Sequence, residues 1–159
     1  MNSTIKNYYE LCKPNVVLMM LICAFVGSLL ASKTVAPFPL IGLAMLGIGL
    51  CASSAAAINH IIDRNVDANM SRTEKRPIPQ GEITPLKASI FALCLGILGA
   101  AILVLYVNTL TAILTLISLV GYAFVYTIYL KRATPQNIVI GGLAGAAPPL
   151  LGWTAVTNS

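Results

Sequence analysis

Charge is what this chain has least of. Only 9% of its 159 residues are charged, and just five are acidic, against about a quarter charged in a soluble domain. With 57% hydrophobic residues and a mean hydropathy of +0.84, that scarcity excludes an ordinary soluble globule and points to an integral membrane protein. Cysteine is sparse and scattered at Cys12, Cys23, Cys51 and Cys94, with no two within four residues. Neither a zinc site nor a disulfide framework follows, and the four read as isolated thiols, three of them inside membrane helices. Histidine and tryptophan occur once each, as His60 and Trp153. No basic stripe of the kind that binds nucleic acid is present, so no nucleic-acid partner is expected and the net charge of +5 reads as a topology signal.

What is present is a series of long apolar runs. A bilayer needs about 20 apolar residues per helix, and such runs lie at roughly 15–36, 39–60, 87–107 and 110–130, with a weaker fifth at 137–156. They are continuous, without the period-2 alternation of barrel strands, so the expected fold class is all-α, a polytopic bundle of about five spans in one domain. Pro37, Pro39 and Pro85 punctuate the boundaries. Glycines and alanines recur within the runs, as at Gly47, Gly99 and Gly145, and suit close helix contact in lipid. The first run is too long for a signal-peptide core and has no small-residue cleavage site, so it reads as a retained span. No arginine-rich, acid-free transit segment precedes it, and a bacterial plasma (inner) membrane is the expected location. If the spans alternate, Lys33 alone falls opposite the other nine basic residues. The positive-inside rule then puts the N-terminus, the 63–86 loop and the 131–136 loop in the cytoplasm.

The chemistry concentrates at one membrane edge. Asn59, Asp63 and Asp67 are spaced i, i+4, i+8, an arc of roughly 80° on a helix, so all three can face one way. Strongly polar groups at membrane depth are expensive and usually functional, and these two aspartates are among only five acidic residues. Arg72 and Arg76 follow. Acceptors for a hard divalent cation, then guanidinium donors for phosphate oxygens, suit a magnesium diphosphate. Neutralising a diphosphate as it leaves lowers the cost of breaking a carbon–oxygen bond, and membrane helices could hold a lipid tail beside it.

The run from Asn59 through Asp63 and Asp67 to Arg72-Thr73 and Arg76-Pro77 resembles the first aspartate-rich motif of the intramembrane aromatic prenyltransferase superfamily. Within it, the segment Tyr126 to Trp153, with Gly141-Gly142-Leu143-Ala144-Gly145-Ala146-Ala147-Pro148-Pro149, is similar to the signature of the protohaem IX farnesyltransferase (haem O synthase) family. Leu11-Cys12-Lys13-Pro14 is similar to that family's usual opening, although threonine is commoner there than Cys12. The likeness covers essentially the whole chain. It implies a bundle of about nine spans around a central cavity, of which this chain would be the N-terminal part. It implies farnesyl diphosphate as donor and protohaem IX (haem B) as acceptor, a substrate and not a prosthetic group, with haem O and diphosphate as products. By position, Asn59, Asp63 and Asp67 would be the catalytic residues holding Mg²⁺ with the diphosphate. Arg72, Arg76, Lys131, Arg132 and Lys13 would contact the diphosphate. Haem A synthase or terminal oxidase assembly are the implied partners besides the lipid bilayer. The superfamily's second aspartate-rich motif has no counterpart, because only Glu74 and Glu82 are acidic after Asp67. The expectation is therefore a fragment, inactive alone.

Two competing readings remain open. A sibling prenyltransferase acting on 4-hydroxybenzoate or another quinone or chlorin precursor would share the Asn59–Arg76 cluster, but the 131–153 segment disfavours it. A transporter subunit would suit the glycines and prolines, but not a polar cluster at the membrane edge. His60 is turned about 100° from the Asn59 face, and reads as a packing or helix-surface histidine rather than a haem ligand. Pro148-Pro149 are expected to bend the fifth span, and Trp153 to anchor it at the interface.

Overall fold

The computed structural model describes residues 3–32, 37–123, 127 and 137–159, the last stretch with side chains from Gly145 onward. All regular structure among them is helical. A short helix, α1 (Ser3–Leu11), is followed by α2 (Pro14–Ala31) and α3 (Phe38–Asp67). Next come α4 (Pro85–Ile102), extended by a π-helical turn at Leu103–Val107, then α5 (Thr109–Val120) and α6 (Asn137–Thr157).

Three of these, Pro14–Ala31, Phe38–Asp67 and Pro85–Val107, are long and apolar enough to cross a membrane. The chain is a multi-pass membrane protein. The expected run at 110–130 is represented by an apolar helix over Thr109–Ala123, with all but one of the remaining positions outside the described residues. Large apolar side chains such as Leu30 on α2, Leu93 on α4 and Leu105 beyond it lie open on the outer faces, as lipid-facing residues should. α3 differs. Over half of its apolar window is buried, against less than a quarter in α2 and the α4 span, so α3 is the central post of the bundle.

Local signals explain the boundaries. Pro14 and Pro85 occupy first-turn positions, where a missing N–H costs nothing. Thr84 caps α4, and the Asn108 side chain caps α5 by accepting from Thr111 N at 2.8 Å. Asn108 Nδ2 also donates to the Thr154 carbonyl at 2.9 Å, which ties the start of α5 to the end of α6. Small residues let the backbones meet. A Cβ at Gly152 would overlap the Ala24 carbonyl, and one at Gly27 would overlap the Pro149 carbonyl, so α2 and α6 pack with main chain against main chain. Ser28 Oγ reinforces that seam by hydrogen bonding to the Gly152 carbonyl at 3.0 Å. Pro148 and Pro149 lie inside α6, which continues through them to Thr157.

The polar stretch starting at Asp63 is not all loop. α3 runs on to Asp67, seven residues past the end of the apolar run, so both aspartates stand on a rigid helix. Residues 68–84 then form successive turns folded back on the helices. Ile78 and Ile83 are buried with Leu11, Ala57, Ala88 and Ala92. Gly81, at φ +75°, supplies the left-handed residue that this return requires.

Candidate active site

Asn59, Asp63 and Asp67 share one face of α3 as their spacing predicts, and all three are buried, Asp63 to 2% and Asp67 to 4% exposure. A carboxylate so deeply withdrawn from water is tolerable only with cations or donors beside it. Two cations reach the cluster from other parts of the chain. Arg76 folds back nine residues and gives Asp67 Oδ2 an ion pair from Nη1 at 2.6 Å. Thr73 Oγ1 donates to the Asp67 carbonyl at 3.1 Å, pinning the turn that brings Arg76 home. Lys13 comes from the α1–α2 junction and donates from Nζ to Asn59 Oδ1. Its backbone sits in the left-handed region, φ 48°, which disfavours a non-glycine residue by about 1–2 kcal/mol. That conformation turns the chain sharply between α1 and α2.

Asn59 is the hub of the cluster. Its Nδ2 donates to Asp63 Oδ2 at 3.2 Å and to Thr127 Oγ1 at 3.2 Å, while its oxygen is engaged by Lys13. Thr127 Oγ1 in turn donates to the Tyr122 carbonyl at 2.9 Å. The amide thus links the first carboxylate to Lys13 and Thr127.

The structure brings together Asn59, Asp63, Asp67, Arg76 and Lys13. It does not bring in Arg72, which is exposed and beyond the helix end. The i, i+4 relation of Arg72 to Arg76 carries no facial meaning, because the residues between them form turns. Lys131 and Arg132 lie outside the described residues. The spacing assigns no role to Thr127 or to Thr73, although Thr73 stands within the aspartate-rich run. Hydroxyls that brace other side chains leave no spacing signal, although Thr127 lies within the segment singled out above.

Beneath the cluster is an apolar cavity of roughly 250 Å³, bounded by α2, α3, α5 and α6. Lys13 lines its mouth, and Ala56, Ala55 and Ala52 line its α3 wall. Thr115 reaches it from α5 with a buried Oγ1 that has no hydrogen-bond partner among the described residues. His60 is buried instead of lying on the helix surface, and neither ring nitrogen has a partner among the described residues. It is not among the residues lining the cavity. All four cysteines are free. Burial pushes the Cys12 thiol up, against a smaller lowering by Ser53, so it is not an activated nucleophile. Among the described residues no group of three or more His, Cys, Asp or Glu could hold a metal ion by itself.

Over 153 residues the chain is 60% identical to Protoheme IX farnesyltransferase 2 of Pseudoalteromonas atlantica and 62% identical to Protoheme IX farnesyltransferase of Saccharophagus degradans. Each match covers 96% of this chain and 50% of the relative. A protein of the latter name in Legionella pneumophila is 60% identical, with 96% of this chain and 52% of the relative covered. The chain spans about half the length of the curated relatives it matches. A family model described as the UbiA prenyltransferase family matches residues 20–159. A multi-pass chain with two buried aspartates on one helix face, matched over most of its length by that family model, belongs to the UbiA prenyltransferase family.

Proposed function

We propose that this chain carries the donor site of an enzyme that transfers the farnesyl group of farnesyl diphosphate to a vinyl group of protohaem IX, giving haem O and diphosphate. The observation that carries the reading is the pair of buried carboxylates at the head of an apolar cavity, with Arg76 and Lys13 held in the same cluster. The names of the relatives supply the acceptor. The two aspartates fit Mg²⁺, which takes oxygen donors, commonly one or two carboxylates with the substrate's phosphate oxygens completing the shell. Bound with diphosphate at Asp63 and Asp67, Mg²⁺ would neutralise the charge that develops on the leaving group.

The chain's own residues do the rest. Asn59 keeps Asp63 oriented through its amide. Arg76 and Lys13, now bonded to Asp67 and Asn59, are cations positioned to give hydrogen bonds to phosphate oxygens. The apolar cavity receives the hydrocarbon tail and keeps water from the allylic carbon as its bond to oxygen breaks. The electron pair leaves with the diphosphate, and C1 of the prenyl chain bonds to the terminal vinyl carbon. Water adds to the inner vinyl carbon and its proton leaves to diphosphate or solvent. The cluster faces the cytoplasm of a bacterial inner membrane, since nine of ten basic residues fall on its side if the spans alternate.

The test is haem extraction from membranes expressing the full-length gene, wild type beside Asp63→Asn, read by mass spectrometry. Haem O with wild type and its loss in the variant support the reading. A well-expressed wild type that makes no haem O sinks the acceptor assignment.

A further inference from the structure

We propose that the face of α3 below Asn59 is a length ruler for the donor's prenyl chain, with Ala56, Ala55 and Ala52 as its channel and Ile48 and Leu151 as its floor. This rests on the donor being a prenyl diphosphate held at Asp63 and Asp67. Relative to Asn59, those four α3 positions fall within roughly 60° on either side. They continue downward the face that carries the aspartates. The three alanines line the cavity, and having no atoms beyond Cβ they leave its upper part open.

Ile48 and Leu151 behave differently. Both line the cavity, yet both belong to the packed core with Ala24, Leu103 and Ala112. Cys51 of the same core lines the cavity one turn above Ile48. On α3 the lining runs from Ala56 down to Ile48, eight residues or about 12 Å along the axis. An extended carbon chain advances about 1.2 Å per bond, so a C10 prenyl chain reaches about 8 Å, C15 about 13 Å and C20 about 18 Å. With C1 at the mouth, which Lys13 lines, a C15 chain reaches Ile48. A C20 chain overruns the floor by about 6 Å, and a C10 chain leaves about the lowest third empty.

The test measures retention of radiolabelled geranyl, farnesyl and geranylgeranyl diphosphates, with Mg²⁺, by the detergent-solubilised full-length protein. Haem O formation is assayed in parallel. Wild type should retain the C15 donor best. Ala52→Leu, which blocks the channel midway, should weaken C15 retention about tenfold or more while leaving C10 within about threefold. Ile48→Ala should raise the C20:C15 retention ratio about tenfold. Should Ile48→Ala fail to fold, Ala52→Leu decides alone. Unchanged C10:C15:C20 preference in a variant that still retains donors overturns the ruler, even if haem O is made. Retention that follows the ruler in a protein making no haem O upholds the ruler and removes the acceptor assignment. A wild type that retains no prenyl diphosphate removes both.

Discussion

The upper and lower halves of α3 present the same helix face with opposite chemistry. From Asn59 to Asp67 the face is buried and charged: Asn59 and Asp67 are met by Lys13 and Arg76 from outside the helix, and Asp63 is met by Asn59 on it. From Ala56 down to Ile48 it is apolar and fronts the cavity. Both halves are withdrawn from water, yet only the upper one depends on long-range partners. Apolar burial is non-directional and needs only contact, whereas a buried carboxylate needs a cation within reach. The polar end of α3 is buried with Arg76 paired to Asp67 and Lys13 bonded to Asn59.

Four changes sharpen the contrast. The largest effect belongs to Asp63→Asn, which keeps shape and removes charge. Haem O formation should fall at least about 100-fold while thermal unfolding in detergent shifts little. Next is Arg76→Met, which strands a buried Asp67 and should cost about 3 kcal/mol. Pairing it with Asp67→Leu should restore most of the melting temperature and none of the activity. If the single and double variants melt alike, the Arg76–Asp67 pair is not what stabilises the upper half. Ser54→Ala comes third. It removes the Ser54 Oγ donation to the Ala92 carbonyl at 2.7 Å on the α3–α4 side, and a loss of about 1 kcal/mol is expected. The smallest effect is Thr115→Val in the cavity wall. Because the Thr115 hydroxyl has no partner among the described residues, the isosteric apolar residue should hold or raise stability by about 0.5 kcal/mol. A marked drop in melting temperature would mean that the hydroxyl is satisfied in the folded protein.

Much of this was legible beforehand. Composition announced the membrane, and the i, i+4, i+8 spacing put Asn59, Asp63 and Asp67 on one face because helix geometry is local. The partner set was not legible. Arg72 and Arg76 look equivalent in the sequence, yet only Arg76 returns to the cluster. The return depends on how Thr73, Gly81, Ile78 and Ile83 fold the 68–84 turns onto the helices. Asn59 reads as a ligand from its type and position, whereas its oxygen is engaged by Lys13, 46 residues away. His60 reads as a surface or packing residue, and which of the two it is depends on segments far from it in sequence. It is buried.

The sequence by itself determined the membrane class, the all-helical spans and the polar face of α3, since each follows from composition or from a periodicity of a few residues. Tertiary structure alone decided which cation meets which carboxylate, that α2 and α6 touch through Gly27 and Gly152, and where the cavity ends. Those outcomes depend on contacts between residues tens of positions apart. A carboxylate's neighbour and a cavity's floor exist only once the helices have packed.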